Sequence, residues 1–252
     1  MNASISAHWP VLAGTLAVLV TLTALLAGVG RLGLARATVT ASLRAVGQLA
    51  AVSLVIVAVL RSGVLTTAFI TLMFVIASGT AARRITGHAS GVWVAGAIAA
   101  GVVPVLGLLM TSGLVPLRTV AVLPVAGILI GGAMTAGGLA GRRALDELDA
   151  RHGEYEARLA LGFPARASRH DVCRPAAAQA LLPALDQTRT VGLVTLPGAF
   201  VGVLLAGASP IQAGITQLVV LIGLLGTETI AVLVVVETIS AGLIQPVSLV
   251  RR

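Results

Sequence analysis

Two carboxylates, Glu228 and Glu237, lie outside the single charge-rich stretch of this chain, and both sit in a long apolar run. An acid at the centre of a bilayer costs roughly a few kcal/mol, so it faces a bundle interior rather than lipid. There it can hold a cation or a proton, or it can stay protonated and bond a neighbouring helix. Both readings are open for Glu228, which Gly226, Thr227 and Thr229 accompany. Glu237 follows nine residues later, and nine steps of about 100° turn it to the opposite helix face. The two acids therefore cannot line one pore, and Glu237 is expected at the membrane interface. Arg44 and Gln48 are four apart and share a helix face. Arg44 either pairs with Asp186 as an inner gate or snorkels to lipid headgroups. Pro197-Gly198 falls inside another apolar run, where it should kink or break a helix and free backbone carbonyls. Broken helices often line transport routes. That places Thr195, Pro197 and Gly198 beside such a route, with a plain proline kink as the alternative.

The other polar side chains suggest no catalysis. His8, His88, His152 and His170 show no metal-ligand spacing on one helix, so the metal ligands stay unknown. No Ser, His and Asp set and no carboxylate dyad reads as an active site, and the chain is expected not to be an enzyme.

A membrane must position these residues. The chain is 57% hydrophobic and 10% charged, with mean hydropathy +1.03, whereas a soluble domain carries about 25% charged residues. All 17 basic residues are Arg. Without Lys there is neither a P-loop for ATP nor a Schiff base for retinal. Aromatic residues, at 3%, are too few to stack on bases. The net charge of +8 follows from Arg collecting in cytoplasmic loops, so the expected surroundings are a lipid bilayer and not nucleic acid. The single Cys173 forbids an internal disulfide and suits a reducing compartment.

A span needs about 20 mostly apolar residues. Seven segments fit, at about 10–29, 38–60, 64–82, 91–112, 119–141, 190–208 and 213–240. No basic region precedes the first, which reads as a retained span. With the N-terminus outside, fifteen Arg fall on the inner side: Arg31, Arg36, Arg44, Arg83, Arg84, the eight of the charged stretch, Arg251 and Arg252. Arg61 and Arg118 fall outside. The expectation is an all-α polytopic protein of the cytoplasmic (inner) membrane, N-terminus out and C-terminus in. It has about seven transmembrane helices in a single transmembrane domain over 1–252, with one cytoplasmic helical loop at about 142–189. Gly127 and Gly131, Gly137 and Gly141, and Gly198 and Gly202 are each four apart. That spacing lets helix backbones approach, inside the bundle or, on the fifth span, between subunits.

The loop holds eight Arg and seven Asp or Glu. Its composition predicts a helix from about Asp146 to Leu161, stopped by Gly162 and followed by Pro164. A second helix should begin near Ala165 and run until Pro175. The loop resembles the cytoplasmic coupling loop of ABC-transporter permeases. Glu156-Ala157 matches that pattern, Arg158 replaces its second Ala, Gly162 falls in place, and Pro175 comes thirteen residues after the Gly. Val172 fills the apolar position before that Pro, and Arg174 departs from the usual Leu. A rigid helix pair of this kind can sit in a groove of an ATPase and act as a lever. Tyr155, Leu159, Leu161 and Phe163 would be its apolar knobs, with Arg158 and Arg166 on the rim. The alternative is a solvated amphipathic hairpin.

Further segments extend the likeness. Asp186-Gln187-Thr188-Arg189 leads into Thr190-Val191-Gly192-Leu193-Val194-Thr195-Leu196-Pro197-Gly198, followed by Gly202, Ala206-Gly207, Pro210, Ala213 and Gln217. Upstream lie Arg44-Ala45-Val46-Gly47-Gln48-Leu49, Pro124-Val125-Ala126-Gly127 and Gly132-Ala133-Met134. Together, over roughly residues 35–220, these resemble the FetB-type permeases, bacterial iron-export and plant aluminium-tolerance ABC permeases. The resemblance implies a permease that binds no cofactor itself, pairs with a separate ATP-binding subunit, assembles as a permease homodimer and exports a metal, with iron favoured. The residues expected along a translocation path or gate are Arg44, Gln48, Asp186, Arg189, Thr195, Pro197, Gly198, Gln217 and Glu228. The chain departs from the family at Gly132, where Asn is usual, and at Ala199 and Phe200, where Met is usual. A proton-coupled secondary transporter using Glu228 is the alternative, although the two halves show no repeat of the kind such folds carry.

Overall fold

The structure, a computed structural model, describes residues 9–86 and 91–244. The chain divides into two compact units, Met1–Arg61 and Ser62–Arg252. The first is a hairpin of α1 (Trp9–Val29) and α2 (Ala35–Arg61), packed on each other and joined by a turn in which Arg31 and Gly33 take positive φ. Its side chains are mostly apolar and mostly exposed, apart from a polar stripe of Arg36, Thr40, Arg44 and Gln48 on α2, with only Ala27 and Val59 buried among those described. A helix of that kind is built for lipid.

The second unit contains α3 (Gly63–Ile85), α4 (Gly91–Thr111), α5 (Thr119–Ala150), α6 (His152–Ala160), α7 (Ala165–Ala178), α8 (Leu182–Thr190), α9 (Gly198–Leu205) and α10 (Pro210–Ser240). Its core lies where α5 meets α3, α4, α10 and α7. Small residues allow the close packing: Ala81, Ala97, Ala126, Ala133, Ala140 and Ala231 are fully buried. Gly138 faces Ala81, Gly141 faces Ile85, and Gly137 faces Ala231 and Val235. These glycines of the fifth expected span thus pack inside the unit. The closest approach to a neighbouring backbone is at Gly101, where an added Cβ would stand 2.5 Å from the Thr227 carbonyl oxygen.

The same contacts set helix directions. Along α5, Gly132 meets Leu224 and Glu228, and Gly137 meets Ala231 and Val235, so α5 and α10 run parallel. Contacts from Met73–Gly127 to Ile85–Gly141 make α3 parallel to α5 as well. Gly101 meets Thr227, whereas Gly223 meets Val105 and Leu109, so α4 runs antiparallel to α10.

Three sequence expectations change. Six helices among the described residues, α1 to α5 and α10, are long and apolar enough to cross a membrane. The span expected at 190–208 is not a continuous helix: α8 ends at Thr190, residues 191–197 are irregular, and only the short α9 follows. The Thr190 carbonyl accepts from Leu193, Val194 and Thr195, and Gly192, at φ +82°, donates to the Thr195 carbonyl at 2.8 Å, folding the chain into a knot ahead of Pro197. The helix expected over Asp146–Leu161 is divided. α5 runs unbroken from the membrane span to Ala150, and a new helix starts at His152. Finally, Pro175 does not end α7, which continues to Ala178 because Val172, Cys173 and Ala177 are buried in the core on either side of it. His8, His88, Arg251 and Arg252 lie outside the described residues.

Candidate functional site

The charged loop folds as a hairpin of α6 and α7 against the ends of α5 and α10. α6 stops as the sequence predicts. Gly162 takes φ +86°, its N–H donates to the Leu159 carbonyl at 2.9 Å, and the Phe163 N–H donates to the Arg158 carbonyl at 3.1 Å. This is a Schellman stop, which satisfies the orphan carbonyls of the last turn. The Arg158 guanidinium lies 5.5 Å from the Phe163 ring centroid, pairs with Asp171 on α7 and stands 3.8 Å from Glu154. The turn therefore presents Leu161 and Phe163 outward, 77% and 51% exposed, with Leu159 partly exposed behind them. Glu156 and Ala157 are also exposed, and Glu156 Oε1 lies 3.2 Å from His152 Nε2. Tyr155 departs from its expected role as an outward knob. It packs back on the core, with Arg169 5.6 Å from its ring centroid.

Sequence reasoning missed the fastening of this hairpin. Arg166 donates to Glu237 at 2.7 Å, the His170 Nε2 lies 3.5 Å from the same carboxylate, and Arg169 donates to the Ser240 carbonyl at 3.4 Å. Glu237 thus ties the end of α10 to α7. The partners are far apart in sequence, and no spacing rule signals them. Beneath them Cys173 is fully buried, its S–H reaching the Ala144 carbonyl at 3.4 Å, and burial pushes the thiol up to about 11.

A second region forms where the broken stretch meets α10. A pocket of about 350 Å³ is lined by Val191, Leu196, Pro197, Phe200, Gln217 and Leu221, with glycines between them. Gln217 is buried, and its side-chain oxygen accepts from the Phe200 N–H at 3.2 Å, one of the donors left open at the start of α9. The expected path residues Pro197 and Gln217 therefore meet here. Gly198 begins α9, and Thr195 belongs to the adjoining knot with its side chain exposed. Asp186 and Arg189, on α8, are exposed and 3.6 Å from each other. Arg44 and Gln48 are exposed on α2 in the first unit.

Glu228 is 8% exposed, and none of its oxygens has a hydrogen-bond or ion-pair partner among the described residues. Its carboxylate lies over Gly132, where an added Cβ would come within 2.7 Å of Oε1. No group of three or more His, Cys, Asp or Glu capable of holding a metal occurs among the described residues.

A family model described as an uncharacterised protein family, UPF0014, matches residues 11–244. The chain belongs to the UPF0014 family. It is similar to the UPF0014 membrane protein STAR2 of Oryza sativa subsp. japonica, 34% identical over 160 residues, 63% of this chain and 56% of that protein. The protein ALUMINUM SENSITIVE 3 of Arabidopsis thaliana is 34% identical over the same length, 63% of this chain and 59% of that protein. The probable iron export permease protein FetB of Escherichia coli (strain K12) is 32% identical over 142 residues, 55% of this chain and 53% of that protein. The chain thus spans somewhat more than half the length of these curated relatives. No solved structure matches. Its apolar helices and its UPF0014 relatives make it a multi-pass membrane protein.

Proposed function

We propose that this UPF0014 protein is the permease subunit of an ABC transporter, working as a homodimer with a separate ATP-binding subunit and exporting a metal, with iron the first cargo to test. The observation that carries the reading is the α6–α7 hairpin. It is locked by the Gly162 stop and the Arg158–Asp171 pair, and it offers Leu161 and Phe163 to a partner instead of burying them. Its clasp on α10 gives a push on the hairpin a route into the bundle. The likeness to a probable iron export permease supports the direction and the cargo.

In this reading the chain crosses the membrane seven times, N-terminus out, and the sixth crossing is interrupted. Two facts support it. α5 and α10 run parallel, so the chain between Ala150 and Pro210 has to return across the bilayer before α10 begins. The Gln217–Phe200 bond ties α9 to the first half of α10, while Arg143, near the far end of α5, bonds Gln179 just before α8. Irregular backbone at membrane depth is tolerated where it lines a cavity, and a pocket adjoins the break.

The test is purification of the full chain from native membranes in mild detergent, followed by reconstitution. An ATPase subunit should co-purify, and a panel of metals and organic solutes should stimulate its ATP hydrolysis. If no ATPase accompanies the chain and a bulky residue at Gly162 leaves transport unchanged, the reading fails. The unpartnered Glu228 favours one rival, proton-coupled transport, which would survive ATP depletion and collapse with the proton gradient.

A further inference from the structure

Glu228 is the acid whose surroundings the fold does not otherwise explain. The other acid of α10, Glu237, is satisfied by Arg166 and His170. A structural, protonated Glu228 would need an acceptor or donor on a neighbouring helix, and none reaches it among the described residues. The charges on the packed helices lie further along. Arg84 of α3 packs at Gly138, six residues beyond Gly132 and so about 9 Å down the α5 axis. Arg83 is in the last turn of α3, and Arg142 and Arg143 lie ten and eleven residues beyond Gly132, about 15 Å further along α5. A buried carboxylate left without any partner is costly, and Gly132 is what leaves room for it.

The face it occupies is informative. Gln217 precedes Glu228 by eleven residues, three helical turns to within about 20°, or about 16 Å along α10. Leu221 and Leu224 lie between them on the same stripe, and Leu221 also lines the apolar pocket beside the break. One carboxylate neutralises one positive charge. Bare divalent ions demand several oxygen, nitrogen or sulfur ligands, and no such group exists among the described residues.

We propose that Glu228 is the charge-neutralising residue of an intramembrane site for a cargo of single positive charge with an apolar body. A metal would then pass as a complex of low net charge and not as the bare ion. As an account of cargo this rests on the permease reading, but the binding site itself can be tested without a partner ATPase.

The full chain in lipid nanodiscs is treated with dicyclohexylcarbodiimide, which attacks carboxyls in apolar surroundings. Labelling of Glu228 is timed by mass spectrometry alone, with tetraethylammonium, or with ferrous iron under anaerobic conditions. Tetraethylammonium should slow labelling at least tenfold, and by calorimetry it should bind the wild-type chain and not Glu228→Gln. Protection by ferrous iron alone, or by neither cation, overturns the proposal. The protection arm uses the unmutated chain, so a folding defect in the variant does not blur it. With no ATPase or nucleotide present, failure here leaves the permease reading to the co-purification experiment.

Discussion

Replacing Gly101 with Ala tests the closest approach of a glycine to another helix's backbone in the bundle. The new Cβ would stand 2.5 Å from the Thr227 carbonyl oxygen, 3.3 Å from its carbon and 3.4 Å from the Ala231 nitrogen. All three are backbone atoms, so no side chain can swing away. Ordinary contact begins near 3.4 Å, which means that α4 must retreat from α10 by about 0.9 Å. A radial gap of about 0.5–1 Å forfeits roughly a quarter to a half of the dispersion well. The loss falls on Val94, Ala97, Ile98 and Val102, all buried on α4. Overpacking of this kind costs about 1–3 kcal/mol. Gly107 provides the control, since it lies on the same helix and an added Cβ meets nothing within 4 Å. Both variants gain the same helix propensity of about 1 kcal/mol, so their difference isolates the clash. Reversible unfolding of the purified chain in mixed micelles should therefore place Gly101→Ala about 1–3 kcal/mol below Gly107→Ala. Thr227 adjoins Glu228, so tetraethylammonium binding should weaken in the first variant only. Equal stabilities would mean that the two backbones are not in contact, and the antiparallel direction of α4 against α10 would lose its basis.

Three further outcomes follow from the hairpin. Gly162→Val forces a β-branched residue into φ +86° at a cost of roughly 1–2 kcal/mol; membrane insertion should persist while ATPase co-purification and flux are lost. The pair Leu161→Glu and Phe163→Ala alters side chains that are 77% and 51% exposed. Stability measured by thermal unfolding should fall by no more than about 1 kcal/mol, the loss of the Arg158–Phe163 contact, and retention of the ATPase should fall about tenfold. Burial holds the Cys173 thiol up to about 11 from an ordinary 9.0, so maleimide should modify it at neutral pH only after unfolding. Between those two values the folded chain binds the proton more tightly than the unfolded one, so stability falls as pH rises from 9.0 to about 11. Cys173→Ser should remove that part of the pH dependence.

What the sequence disclosed was local or statistical. Apolar runs needed only length and composition, and they fixed the membrane class. The Gly162 stop was legible because a Schellman motif is written in four or five consecutive residues. Long-range pairing was not. Nothing near Glu237 in sequence names Arg166 or His170, and Tyr155 looked like a surface knob until α7 was seen to place Arg169 over it. Pro175 misled for a related reason: its local effect is to end a helix, and the burial of Val172, Cys173 and Ala177 outweighs that preference.

The stretch at 190–208 combines both kinds of information. Apolar composition marks it as a crossing, and Gly192, Pro197 and Gly198 mark it as one that cannot be a plain helix. Neither signal says what replaces the missing helical hydrogen bonds. The fold supplies two answers, the turn of amides around the Thr190 carbonyl and the Gln217 oxygen on the Phe200 N–H. Gln217 thus serves the backbone of the break with its oxygen, and the face of α10 that carries it leads in three turns to Glu228. A side chain that holds the interrupted helix and begins the stripe leading to Glu228 couples the shape of the break to whatever occupies the pocket. Gln217→Leu, which keeps the bulk and removes the acceptor, should therefore disturb the start of α9 and transport together, whereas Leu218→Ala on the pocket rim should alter transport alone.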